Sequence, residues 1–229
     1  MIDFQKTIKA FLKLIYIFFW KIISKLYSPI LIKKYINQNK VLKLHIGSGK
    51  NVIKDWLNCD ISPLSFKVVF VDVRNKITIN DSVIDYIFSE HMIEHINYKD
   101  GLKMLTDCYR VLKPGGKIRI TTPDLNTLIE ILKNDKNIYD NYIKWSHKEN
   151  NLINANSIEV FNNFFQSWGH KFIYDKNFLK TNLQEIGFKN LKYFKLTISD
   201  DYHFENLEHI HRLPENFLQI ESFTIEGTK

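Results

Sequence analysis

Five consecutive residues, His91-Met92-Ile93-Glu94-His95, carry the densest reactive chemistry in this 229-residue chain. If the segment is helical, two imidazoles and a carboxylate at i, i+3 and i+4 share one face. Such a set can bind a divalent ion. A histidine there also has the pKa of a general base suited to taking a hydroxyl proton. A second constellation lies upstream. Gly47-Ser48-Gly49 follows the apolar positions Val41, Leu42, Leu44 and Ile46, and an acid, Asp60, stands shortly beyond. Glycines at the carboxyl end of a first strand admit a ligand to the backbone, and an acid closing a second strand is placed to accept hydrogen bonds from a ribose diol. A tight strand-ending turn would use the same glycines. A dinucleotide fingerprint is excluded: Val52 stands where its third glycine would be, and residues 50–59 are too few for a helix plus a strand.

These groups need elements to position them. Phe66–Val73 is β-branched and reads as a third strand ending near Asp72, an acid placed either to face an adenine amino group or to cap the next turn. Asp81–Glu90 reads as a fourth strand running into the histidine cluster. Tyr98–Leu112 has helical apolar spacing, Lys113–Gly116 reads as a stop and turn, and Lys117–Thr122 as a fifth strand. That succession implies a right-handed parallel crossover. Leu125–Lys133 continues as a helix, and the polar stretch 134–156 reads as a helical insertion or lid. Phe161–Asp175 is the densest aromatic stretch, either a substrate wall or core, with His170 and Tyr174 as its polar candidates. Asn177–Ile186 reads as a helix closed by Gly187, followed by strands over Phe188–Thr197 and Phe217–Ile225. His203, His209 and His211 read as surface loop.

Hydrophobic content of 45% and charged content of 25% fit a globular domain. Cys59 and Cys108 have no metal or redox spacing. The net charge of +7 belongs to residues 1–40, which hold eight lysines against Asp3, so the body is neutral and no nucleic-acid partner is expected. In this leader Lys6, Lys9, Lys13, Lys21 and Lys25 share one broad helical face, and Phe11, Ile15, Phe18, Phe19, Ile22 and Leu26 cover most of the rest. The longest uncharged run, Leu14–Trp20, falls short of the roughly eighteen apolar residues that span a bilayer. A basic amphipathic helix lying in a membrane interface and a cap helix packed on the domain both suit the pattern. Pro29 is expected to end or kink it.

LHIGSG, the acid Asp60, DYIFSEHMIEHI and YRVLKPGGKIRITTPD, in this order and spacing, resemble the class I S-adenosylmethionine-dependent methyltransferases. More narrowly, Trp56-Leu57-Asn58-Cys59-Asp60 and Trp168–Tyr174 resemble W-[LI]-N-x-D and W-G-H-x-[FY]-x-[YF] segments of small bacterial methyltransferases that often accompany surface-polysaccharide synthesis. The resemblance implies an α/β, Rossmann-like fold: a mostly parallel seven-stranded sheet with one antiparallel strand and helices on both faces. The leader, residues 1–40, would precede a domain at 41–229 in which 134–175 forms a lid or acceptor site. S-adenosylmethionine is the implied methyl donor. Gly47 and Gly49, with Ser48 between them, would pass its methionine part. Asp60, followed by Ile61, would hold the ribose, Asp72 would lie near the adenine, and Ser89, Glu90 and His91 would line the amino-acid end. Candidate bases are His91, His95 and His170. The implied acceptor is a hydroxyl of a sugar or lipid-linked glycan, or another small molecule. An Asn/Asp-Pro-Pro-Tyr element, expected of nucleic-acid amino-methylases, is missing after strand four. The implied location is cytoplasmic, with residues 1–35 contacting the inner membrane face.

His91–His95 also matches the H-x-x-E-H zinc-peptidase pattern. The segment follows directly on a strand and no third zinc ligand can be located, so no metal site is assigned, although the trio is compatible with a divalent ion. The rivals are a metal-dependent hydrolase built on His91, Glu94 and His95, a silent cofactor-binding module, and a peripheral membrane protein whose main output is docking.

Overall fold

Short apolar and β-branched runs separated by polar turns produce a seven-stranded sheet in this computed structural model, which describes residues 4–133, 139–214 and 216–229, with side chains from residue 11 onward except Lys13. The strands are β1 (Lys43–Ile46), β2 (Leu57–Asp60), β3 (Val68–Phe70), β4 (Ile84–Glu90), β5 (Leu112–Pro123), β6 (Lys189–Phe194) and β7 (Ser222–Thr228). Their order is β3-β2-β1-β4-β5-β7-β6. β7 runs antiparallel to both its neighbours, while β3, β2, β1, β4 and β5 pair in parallel. The helices are α1 (Phe4–Gln38), α2 (Tyr98–Val111), α3 (Leu125–Lys133), α4 (Asp140–Glu149), α5 (Ser157–Gln166), α6 (Lys176–Ile186) and α7 (Phe217–Glu221). As the short spacing requires, β1 and β2 are joined without a helix.

The period-two alternation of the strands gives the sheet two unlike faces. Leu44, Ile46, Ile87, Ile118, Ile120 and Ile225 point to the apolar face, where they pack with Ile32 of α1, Leu105 and Cys108 of α2, and Leu179 and Leu183 of α6. The opposite face holds His45, Phe88, Arg119, Thr121, Thr224 and Glu226, all buried. Segment 195–209 seals it. Phe204 packs on Trp56 and Phe88. Arg119, fully buried, donates from Nε to Glu208 Oε1 at 2.7 Å, and from Nη1 to Glu226 and to the Ile198 carbonyl. His45 Nδ1–H is assigned as donor to Asn58 Oδ1, because the Asn58 amide already donates to the Ile53 and Trp56 carbonyls. Asn58 thereby ties the β1–β2 loop to the sheet.

A separate apolar cluster joins α3, α4, α5 and α7 through Leu128, Ile131, Tyr142, Ile143, Val160, Phe164 and Phe217. Residues 134–138 of the expected insertion lie outside the described residues, as do the side chains of Lys6, Lys9 and Lys13.

Four boundaries differ from the sequence expectations. The third strand is only Val68–Phe70. Lys113–Gly116 is not a free turn: β5 already begins at Leu112, and Gly115 and Gly116 exchange backbone hydrogen bonds with Lys229. Phe217–Ile225 splits into α7 and β7, because Phe217 and Ile220 turn into the helical cluster before the alternation begins. Pro29 does not end α1, which continues to Gln38. Ser28 and Ile32, on either side of the proline, are buried against the sheet and hold the helix through the missing hydrogen bond. Here the Tyr27 hydroxyl donates to the Ser65 and Val68 carbonyls at 3.0 and 2.9 Å, and the Phe70 N–H donates to Ser28 Oγ at 2.6 Å, covering the open edge of β3. Upstream of these contacts, Phe18, Phe19, Ile22 and Leu26 are exposed. The 25-residue stretch Leu14–Gln38 contains an 18-residue window with a mean hydropathy of 1.4, long and apolar enough to cross a membrane by length and composition, although its longest uncharged run is short.

Truncating only Arg119 would leave Glu208 and Glu226 as buried uncompensated carboxylates. We expect Arg119→Leu to lower the free energy of unfolding by about 3–5 kcal/mol, measured by urea denaturation followed by tryptophan fluorescence. A second expectation concerns pH. Burial pushes the His45 imidazole from 6.5 down to about 4. The unfolded chain therefore protonates first; the contribution is full above about pH 6.5 and lost as pH falls towards about 4. Over this window the wild type should lose stability more steeply than His45→Gln in parallel urea titrations.

Candidate active site

The carboxyl ends of β1, β2 and β4 open onto a cleft of about 420 Å³, within the range of small-ligand sites. Its lining includes Ile46, Gly47, Asp60, Ile61, Asp72, Val73, His91, Met92, His95 and Lys171. Gly47 sits at φ +71°, and a Cβ there would fall 2.2 Å from Met92 Cγ, so this glycine makes room for the methionine that floors the cleft. Gly49 is also left-handed, at φ +53°, but a Cβ on it would meet nothing within 4 Å. Asp60 is locked by two backbone amides: Gly49 N–H donates to Oδ2 at 2.9 Å and Ser62 N–H to Oδ1 at 2.8 Å. Each oxygen keeps a lone pair for a further donor. Asp72 is gripped by Arg74, whose Nε and Nη2 donate to its two oxygens at 2.8 and 2.7 Å. This pair holds the Asp72 carboxyl below the usual carboxylate range.

The other sequence-derived candidates divide. Ser48 and Ser89 are buried near the cleft without lining it, and neither hydroxyl has a hydrogen-bond partner among the described residues. The Glu90 side chain turns away and accepts from the His209 N–H at 3.1 Å; burial raises its pKa, with Arg212 opposing. Tyr174 also leaves the site. Its hydroxyl is buried 2.4 Å from where a Cβ on Gly101 would stand, and burial raises its pKa.

Residues 91–95 do not form an α-helical turn. His91 is held at φ +45° and only Ile93–His95 forms a 3₁₀ turn. His91 is fixed at both ring nitrogens, with Nε2 2.9 Å from Ser222 Oγ and Nδ1 3.1 Å from Glu94 Oε1. Glu94 is fully buried, and its Oε2 accepts from Thr122 Oγ1 at 3.1 Å. Burial pushes the Glu94 carboxyl up, but the His91 and His95 imidazoles outweigh it and hold the group below the usual range. The Glu94 carbonyl accepts the N–H groups of Lys171 and Phe172 at 2.7 and 3.2 Å. That staple brings in His170, which directly follows Trp168 and Gly169, both left-handed at φ +56° and +79°. His170 Nδ1–H donates to the Phe164 carbonyl at 2.7 Å, and burial lowers its pKa.

A second cleft, of about 230 Å³, lies on the far side of this junction. It is lined by Pro123, Trp145, Phe164, Trp168, His170, Arg212, Leu213 and Glu221, and it shares His91 and His95 with the first cleft. Sequence reasoning missed Met92, Thr122, Arg212, Glu221 and Ser222. Met92 lay inside a motif read only for its polar members. The others lie too far along the chain for local spacing to connect them.

Residues 44–120 match a family model described as a methyltransferase domain. Across the whole chain, the fold is similar to a SAM-dependent methyltransferase from Archaeoglobus fulgidus, with 19% identity, 90% of this chain and 94% of that chain covered, and a TM-score of 0.50. It is likewise similar to an S-adenosylmethionine-dependent methyltransferase from Mesorhizobium loti, with 11% identity, coverage of 82% and 91%, and a TM-score of 0.50. No curated protein matches at the sequence level. The open left-handed Gly49 beside an Asp60 with free lone pairs fits the methyl donor's ribose and methionine parts. The match over residues 44–120 marks a methyltransferase domain, and the strand order and fold are similar to those of S-adenosylmethionine-dependent methyltransferases.

Proposed function

We propose that the acceptor is a hydroxyl of a sugar or lipid-linked glycan. One observation carries the reading of a hydroxyl: the donor cleft and the aromatic cleft share His91 and His95, so imidazoles stand where donor and acceptor would meet. When bound, S-adenosylmethionine supplies an electrophilic methyl group on a sulfonium. Asp60 would receive the ribose hydroxyls on its free lone pairs, and Gly49 leaves space for the chain beyond. Transfer by direct displacement depends on alignment, which two clefts with a common rim provide. His95 has no hydrogen bond to its ring among the described residues, so it is the imidazole best placed to take the acceptor's proton as the oxygen–methyl bond forms. His91, bonded to Ser222 through Nε2 and facing the Glu94 carboxylate with Nδ1 at 3.1 Å, positions Glu94. His170 orders the rim. Support for a sugar comes from Trp145 and Trp168, whose ring faces suit the apolar side of a pyranose, with Arg212 and Glu221 as polar partners.

Support for a lipid-linked acceptor comes from α1. Its exposed Phe18, Phe19, Ile22 and Leu26, with Lys21 and Lys25 nearby, suit the interface of an anionic membrane. The enzyme would then work at the cytoplasmic face, within polysaccharide synthesis.

Three expectations test this. Calorimetric titration with S-adenosylhomocysteine should show binding that weakens roughly 10–100-fold in Asp60→Ala, the value of a charge-assisted hydrogen bond. Wild type should also transfer a radiolabelled methyl group to glycan or lipid-linked glycan acceptors. Cofactor binding with no labelling of any hydroxyl acceptor would sink the acceptor reading, and unchanged binding by Asp60→Ala would remove Asp60 from the site. For the leader, wild type should float with vesicles containing anionic lipid, and Phe18→Ser/Phe19→Ser should lose most flotation while keeping its affinity for S-adenosylhomocysteine. Equal flotation of the two proteins would rule out α1 as the anchor.

A further inference from the structure

We propose that Glu94, His95 and His170 form a binding site for one divalent transition-metal ion at the meeting of the two clefts. One ligand atom from each residue lies within 4.8 Å of the others. The trio differs from the His91-Glu94-His95 set that local spacing suggests. His91 is committed at both nitrogens, to Ser222 and towards Glu94, and is unavailable as a ligand.

Four observations point to a ligand. Glu94 is fully buried, yet its Oε1 has no hydrogen-bond partner among the described residues. The His91 nitrogen 3.1 Å away is close enough for an ion pair but lies off the hydrogen-bonding direction. A buried carboxylate oxygen left in this condition is costly unless something else neutralises it. Next, His170 spends its Nδ1–H on the Phe164 carbonyl at 2.7 Å. That bond fixes the tautomer and leaves the Nε2 lone pair free, the arrangement seen in metal-ligating histidines. Third, the His95 and His170 rings stand 4.9 Å apart at 66°, edge to face, and the His95 ring has no hydrogen bond among the described residues. Finally, the bonds from Lys171 and Phe172 to the Glu94 carbonyl fix the two ligand-bearing segments against each other before any ion arrives.

The donor set selects the ion. Two imidazoles and one carboxylate suit zinc, cobalt or iron(II) better than magnesium or calcium, which prefer all-oxygen sites. With bonds of about 2.0–2.2 Å, binding would draw the three ligand atoms closer, a movement that imidazole rotation can supply. A fourth position would face the shared rim. There the ion would hold the acceptor oxygen and ease loss of its proton to water, so that in the metal-loaded protein His95 serves as ligand in place of base; this role rests on the hydroxyl-transfer reading, and the ion's binding does not.

The test uses the full chain after chelator dialysis, titrated calorimetrically with Zn²⁺, with metal content measured by mass spectrometry and Co²⁺ as a spectroscopic probe. We expect one ion per chain in the wild type and an intense visible band from four-coordinate Co²⁺. Affinity should fall at least about tenfold in His170→Ala and in Glu94→Gln and stay unchanged in His211→Ala, which alters an exposed histidine. Should Glu94→Gln fail to fold, His170→Ala decides alone, with S-adenosylhomocysteine binding as its folding control. A wild type that retains no ion, or a His170→Ala that binds as tightly as wild type, overturns the proposal. Stoichiometric metal in a protein that labels no hydroxyl acceptor would overturn the acceptor reading and leave the site standing.

Discussion

A single buried guanidinium sets the terms for one whole side of the molecule. Arg119 sits in the middle of β5 with no contact with water, and its cost of desolvation is offset only because Glu208, Glu226 and the Ile198 carbonyl surround it. Glu208 comes from the long connection between β6 and β7, and its other oxygen accepts the Thr197 N–H. The charge pair therefore closes that connection into a lid over the polar face. The following residue, His209, bonds to Glu90 at the end of β4. A few residues later the same segment delivers Arg212 and Leu213 to the wall of the aromatic cleft. The fold and the aromatic cleft are thus coupled through one ion-pair network.

The other face obeys a simpler rule, apolar strand against apolar helix, and contributes little chemistry. Chemistry collects where the two regimes meet, at the carboxyl end of β4. There the backbone takes the left-handed conformation at His91, then tightens into a 3₁₀ turn. Strain of this kind persists only when its surroundings over-determine it. Here Ser222 from β7, Thr122 from β5 and the 170–172 segment all converge on residues 91–95. Glu94 acts as the hub, with its carbonyl holding one segment and its carboxylate another.

Much of this was legible from local pattern. The β1–β2 spacing told that no helix intervenes, the alternation in β4 and β5 gave paired strands, and Gly187 was read as the left-handed cap it is, at φ +116°. Local pattern also set limits. Gly47 was read as admitting a ligand to the backbone, and the group that a Cβ there would meet is Met92. Asp60 was read for a ligand alone, whereas two backbone amides already hold it; Asp72, read as facing an adenine or as capping the next turn, accepts both the backbone N–H and the guanidinium of Arg74. Pro29 was weighed by its missing N–H alone, and the packing of Ser28 and Ile32 proved stronger. The trio at the rim escaped notice because its members are linked by a backbone hydrogen bond across the fold and not by helical periodicity.

The hydroxyls of Tyr27 and Ser28 occupy the backbone groups of β3, the outermost parallel strand. An uncovered edge of this type is a template on which a second chain can add a strand. Because α1 precedes β3 in the chain, it leaves the ribosome before the strand it guards. Protection against edge-to-edge pairing is therefore ready when the hazard first forms, and an N-terminal truncation reaching Tyr27 would leave that edge open to a second chain.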